Sequence, residues 1–129
     1  MTKSELLNRT KQLALRVIKL VESLPTNKTT DILGRQLLRS ATSVGANYRA
    51  ACRAKSTADF INKLAIVEEE ADESIYWIEL LVESGHIKAS LVSNLLVELD
   101  EIVSIVVSAI KTSKSKRNQK SQITIPKSI

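Results

Sequence analysis

The sequence predicts an all-α fold, an up-down-up-down antiparallel four-helix bundle, on three observations. Among its 129 residues are only three glycines, two prolines and four aromatic side chains, while Leu, Ile, Val, Ala, Lys and Glu dominate, the composition of helices packed on helices. Apolar residues recur at three- and four-residue steps in four segments. Short stretches with turn and capping chemistry separate those segments.

The first helix is expected over about 3–24. Thr2 followed by Glu5 forms a capping-box signature, Leu6, Leu13, Val17, Leu20 and Leu24 share one face, and Pro25 ends the run. PTNKTTD then supplies turn formers, and Leu33, Leu37, Ala41, Val44, Tyr48 and Ala51 line the second helix, about 29–55. No Gly or Pro separates this helix from the next. A straight continuation, however, would turn Phe60 roughly 140° away from the Leu37/Val44 face, so the chain must reverse near Ser56. Ser56 and Asp59 read as a second capping box, opening a third helix over about 57–84. Its core face is expected to be Phe60, Leu64, Val67, Ala71, Ile78 and Val82, and Gly85 suits the position just past its end. The fourth helix, about 89–111, repeats Val92, Leu99, Val106 and Leu95, Ile102, Ala109 at heptad spacing. Residues 1–110 thus form one domain, of a size that buries roughly two thirds of its unfolded surface without metals or disulfides. Residues 111–129 are expected to be a disordered basic tail.

The net charge of +5 is unevenly placed. Residues 111–129 carry six Lys or Arg and no acid, leaving the bundle nearly neutral. Within it, residues 28–63 hold seven bases against two acids, and residues 68–101 hold ten acids and only Lys88. One lone cysteine, Cys52, fits a reducing compartment, and neither an apolar leader nor a run of about 18 apolar residues is present, so a cytoplasmic, non-membrane protein is expected.

The stretch RQLLRSATSVGANYRAACR concentrates the basic residues. At 100° per residue Lys28, Arg39, Arg49 and Arg53 all fall within about 40° of Arg35, opposite the Leu37/Val44/Tyr48 stripe. From Arg35 to Arg53 this ridge runs roughly 27 Å, with small Thr42 and Ala46 at its middle. Two readings stand. A row of guanidinium groups on a rod can track the phosphates of RNA or DNA without reading their sequence. The same row can pair with acidic residues of the third helix, Glu68, Glu69, Asp72, Glu73 and Glu79, within the bundle or across subunits. Tyr76, Trp77, Ile66 and Leu80 lie off the core stripe, so Glu69, Glu70, Glu73, Tyr76 and Trp77 are candidate oligomer-interface residues.

Catalytic machinery is not expected. The EEEADE cluster lacks the Glu-x-x-His pairs of a bundle metal site, His86 sits beside Gly85 at a helix end, and Gly34 and Gly45 stand singly inside a helix rather than in a phosphate loop. Gly45 reads as a close-packing residue and Cys52 as a buried structural thiol. No cofactor and no metal are expected.

The matches Arg39-Ser40-Ala41, Ser43-Val44-Gly45-Ala46-Asn47, Ser56-x-x-x-Phe60 and Glu70-Ala71-Asp72-Glu73 before Tyr76-Trp77 resemble the signature of the bacterial four-helix bundle family of 23S rRNA-intervening-sequence proteins. The likeness is strongest over Gln36–Leu81. It implies a ring-like homopentamer without established enzymatic activity. The family is also similar to the accessory variability protein of diversity-generating retroelements, a basic pentameric bundle that binds nucleic acid and a reverse transcriptase. This implies a nucleic-acid partner, or a protein partner such as a reverse transcriptase.

Overall fold

The computed structural model describes residues 1–124, with side chains through residue 119. Four helices follow one another: α1 (Lys3–Glu22), α2 (Lys28–Cys52), α3 (Thr57–Glu83) and α4 (Ala89–Thr124). Each packs on its sequence neighbours, and α1 also meets α4, closing the bundle. Short connections force antiparallel neighbours, the geometry of an up-down bundle.

The ends of the helices are chemically specified. At α1 the Thr2 hydroxyl accepts from the Glu5 N–H at 3.1 Å while the Glu5 carboxylate accepts from the Thr2 N–H at 3.4 Å. Asn27 and Thr30 reproduce that reciprocal pair at α2, at 3.0 and 3.2 Å. Ser56 caps α3 by accepting from Asp59 N–H at 3.0 Å, and the Asp59 carboxylate reaches back to the Lys55 N–H. The predicted reversal therefore lies between Cys52 and Thr57. Past α3, Gly85 takes φ +83°, and its N–H donates to Val82 O while His86 N–H donates to Leu81 O, both at 3.0 Å. This is a Schellman end, which requires a residue at ease in the left-handed region.

The core is aliphatic. Leu13 and Val17 of α1, Leu37 and Val44 of α2, Leu64, Val67, Ile78 and Leu81 of α3, and Leu99, Ile102 and Val106 of α4 are sealed from solvent. On α3 the sequence expectation needs correction: Phe60 and Val82 are only half-buried, and Ile61 and Leu81 point inward instead. The inward set Leu64, Val67, Ala71, Ser74, Ile78, Leu81 alternates steps of three and four, a seven-residue repeat. Over a long helix that seam drifts away from a face projected at 100° per residue. Leu33 and Leu24 likewise sit at the core margin.

Two small-residue contacts set how closely the helices approach. Between α2 and α3, Ser40 and Ser74 are both 0% exposed; Ser74 donates to the Glu70 carbonyl at 2.8 Å, and the Ser40 hydroxyl donates to Ser74 Oγ at 2.7 Å, with the Leu37 carbonyl 3.2 Å away. Between α1 and α2, Gly45 lies against Thr10, and a Cβ at Gly45 would stand 3.3 Å from the Thr10 carbonyl oxygen. Gly45 therefore permits close packing, as its single placement inside the helix suggested.

The basic segment after residue 110 differs from expectation, because α4 continues to Thr124. Residues 111–124 contain no Gly or Pro, and Lys, Arg and Gln are good helix formers, so a helix already anchored by Ile110 propagates through them. Residues 125–129, which hold Pro126, lie outside the described residues.

The α1–α4 side is held by charge. Arg9 grips Glu98 with two hydrogen bonds, Nε–Oε2 at 2.9 Å and Nη2–Oε1 at 2.5 Å, and reaches Glu101 at 3.4 Å. The hydrogen bond from Arg9 lowers the Glu98 pKa below its ordinary 4.5 and raises that of Arg9. A carboxyl lowered on folding adds stability that is present above its unfolded pKa and lost as pH falls through the folded one. Glu98→Gln is thus expected to cost about 0.5–1 kcal/mol at neutral pH. The difference from wild type should shrink below the ordinary 4.5. Urea midpoints across the acid range check this, and two curves that stay parallel would contradict it.

Candidate functional site

The five residues of the predicted ridge all stand on the outer side of α2, but tertiary packing gives them three different environments. Arg39 turns toward α3, where its guanidinium bonds Glu70 at 3.2 Å and also pairs with Glu73. Glu73 additionally accepts from Trp77 Nε1 at 3.3 Å. Arg39 thus belongs to the α2–α3 seam, beside the Ser40–Ser74 bond. Two of the candidate interface residues, Glu70 and Glu73, are engaged within the chain by the same contact. The pairing of arginine with acidic α3 that the sequence allowed is, for Arg39, an internal one.

Lys28 and Arg35 occupy the other end of the ridge. Arg35 lines a hollow of about 320 Å³ between the end of α1 and the start of α2, together with the acids Glu22 and Asp31. Its positive field there is partly cancelled.

Arg49 and Arg53 have a different setting. They form one wall of a groove of about 640 Å³ between α1 and α2, facing Lys3 and Lys11 across a floor that includes Thr42, Gly45 and Ala46. The lining contains four cations and no acid. Among the described residues, none of these four makes an ion pair. The floor is low because Gly45 carries no side chain and Thr42 bends back, its hydroxyl donating to Leu38 O at 2.8 Å. A polyanion laid in this groove meets cations from both sides at hydrogen-bonding reach.

Lys3 and Lys11 were not singled out from sequence. They sit two helical turns apart with Leu7 between them, and Ala14 continues the row. That pattern places one basic stripe on α1, but only the α1–α2 crossing brings it opposite Arg49 and Arg53. Cys52, expected to be buried, is half-buried and reaches the groove.

On the outer face of α3, Tyr76 is 52% exposed and stacks edge-on against half-buried Trp77 with ring centroids 5.2 Å apart. Glu69, two helical turns before Tyr76, is also exposed. Among the described residues no three His, Cys, Asp or Glu side chains come together as a metal site would need. No helix among them is long and apolar enough to cross a membrane.

The motif residues therefore fall mostly on helix seams: Arg39 and Ser40 on Glu70, Glu73 and Ser74, and Gly45 on Thr10. A family model for the 23S rRNA-intervening sequence protein matches residues 2–108. This chain belongs to that family. A solved structure, of a protein of unknown function from the S23 ribosomal protein family of Bacteroides thetaiotaomicron, is 36% identical. It superposes with a TM-score of 0.80 over 86% of this chain and 99% of its own. No curated protein matches. All four groove cations lie within the span of the 23S rRNA-intervening sequence protein match, whereas the end of α4, with Lys111, Lys114, Lys116 and Arg117, lies beyond it.

Proposed function

We propose that this protein is a non-catalytic, cytoplasmic nucleic-acid-binding bundle that holds the phosphate backbone of RNA or DNA in the α1–α2 groove. One observation carries the reading: Lys3, Lys11, Arg49 and Arg53 surround an acid-free groove with a small-residue floor, and their charges are not spent on ion pairs. Cations left without counterions cost little when solvated, but they release condensed counterions from a polyanion when it binds. Few exposed aromatic side chains are at hand to stack on bases, so charge and shape would govern the choice of partner.

The test falls on the two residues that sequence periodicity alone does not pair with the ridge. With Lys3→Gln and Lys11→Gln together, the slope of log affinity against log salt should shrink by about two, one per lost phosphate contact. Fluorescence anisotropy with labelled structured RNA and duplex DNA reads both affinity and slope. An unchanged slope would remove the α1 wall from the site.

A second reading concerns assembly. Exposed Tyr76 and Glu69 on the outer face of α3 favour self-association through that helix, in line with the ring implied by the family resemblance. Tyr76→Lys should lower the sedimentation coefficient of the assembled protein, and an unchanged value would place the subunit contact elsewhere.

A further inference from the structure

At the end of the bundle where α2 turns into α3, a second cavity of about 600 Å³ opens beside the groove. Lys3, Lys55, Lys116 and Arg117 supply its charge, and its lining contains no acid. Tyr48, Ala51, Ala54 and Phe60 supply an apolar surface beneath them. The nearest acids in sequence, Glu5 and Asp59, accept hydrogen bonds from the N–H groups of Thr2 and Lys55 as parts of helix caps. Lys3 and Cys52 line both this cavity and the α1–α2 groove, so the two adjoin.

We propose that this pocket holds a terminal nucleotide through its phosphomonoester, the cations of Lys3, Lys55, Lys116 and Arg117 taking the phosphate and the Tyr48–Phe60 surface taking the base. The inference deepens the groove reading and rests on it: a strand whose backbone follows the groove delivers its end here. Three physical arguments support it. A terminal phosphate carries about −1.5 to −2 charge at neutral pH against −1 for an internal diester, so a four-cation pocket favours an end over the middle of a strand. The cavity volume falls in the range of small-molecule sites. An aromatic and aliphatic floor suits a base regardless of its identity. Tyr48 is 8% exposed, and burial, with the neighbouring Cys52 thiol, pushes its pKa up to about 12, so the ring it contributes to this surface stays uncharged.

The pocket combines Lys55, within the family match, with Lys116 and Arg117, beyond it. It exists because α4 runs past Ile110 as a helix and carries those two side chains over the α2–α3 turn.

The test uses the full-length protein and one short labelled single strand ending in a 5′-phosphate, a 3′-phosphate or hydroxyls only. A phosphorylated end should bind about tenfold more tightly than a hydroxyl end. That preference should vanish in a Lys55→Ala, Lys116→Ala, Arg117→Ala variant, whose three substitutions are all on exposed side chains. Competition by free adenosine monophosphate as strong as that of the phosphorylated strand would identify a free nucleotide as the ligand, and weaker competition a strand end; both support the site. Equal binding of phosphorylated and hydroxyl ends, or a preference that survives the triple substitution, overturns the proposal. If duplex binding that depends on Arg49 persists in that case, the groove reading stands alone. If it is lost as well, both fail.

Discussion

Gly45→Leu should destabilise the bundle by about 2–3 kcal/mol, because a side chain there must displace backbone rather than another side chain. A Cβ alone would lie 3.3 Å from the carbonyl oxygen of Thr10 and 3.4 Å from its carbon, atoms that cannot rotate away. Thr10 is itself fixed, its hydroxyl donating to Leu6 O at 2.9 Å and Leu7 O at 3.1 Å. Alanine would recover about 1 kcal/mol of helix propensity and lose a similar amount to this contact, so Gly45→Ala should fall close to wild type. Leucine has no such compensation and must push α1 off α2. Since Gly45 is also the floor of the groove, the same change should weaken nucleic-acid binding. Gly34 makes the control. A Cβ there meets the side chains of Leu24 and Val21, at 3.2 and 3.4 Å, which can adjust, so Gly34→Ala should be neutral or mildly stabilising. Urea midpoints of the three variants decide the matter, and a Gly45→Leu protein as stable as wild type would contradict the close crossing.

The second large effect separates two arginines of the same predicted ridge that stand about 80° apart on a helical wheel. Arg39→Glu would set a third carboxylate against Glu70 and Glu73 in the α2–α3 seam, replacing an attractive network with a repulsive one. A stability loss of about 1–2 kcal/mol is expected, with binding of the folded protein reduced only modestly. Arg49→Glu acts in reverse. Its side chain is exposed and faces the groove, so the fold should lose little, while a negative charge beside the phosphate path should weaken binding at least about tenfold and flatten its salt dependence. Thermal midpoints and anisotropy on the two variants form one experiment. Equal losses of affinity would restore the continuous ridge as the binding surface, and equal losses of stability would mean that both arginines are structural.

The contrast between Arg39 and Arg49 also marks where sequence reasoning runs out. Periodicity, the Thr2–Glu5 capping pair, Ser56 and Gly85 place all four helices and the reversal between α2 and α3, because caps and apolar spacing are local properties. The face of α3 shifts by one residue, from Phe60 to Ile61, because supercoiling accumulates over a long helix and no single turn reveals it. The ridge projection carries no partner information. Glu70 and Glu73 are 31 and 34 residues from Arg39, and Lys3 and Lys11 approach Arg49 and Arg53 only through a crossing fixed by Gly45 and Thr10. The family motif is informative for the same reason: Ser40 and Ser74 fit because each is the other's hydrogen-bond partner, which a reading of either segment alone does not show.

The central claim is that the α1–α2 groove holds the phosphate backbone of nucleic acid, and that the end of α4 adds contacts only at a strand's terminus. Its most direct test is the anisotropy of labelled duplex and structured RNA with the full-length protein and its Arg49→Glu, Arg53→Glu variant, at about 50 and 200 mM salt. Tight binding by wild type that falls steeply with salt, and its loss in a variant that keeps every cation of α4, is the predicted result. Binding that is unaffected by the two groove substitutions, or absent from wild type at the lower salt, would contradict it.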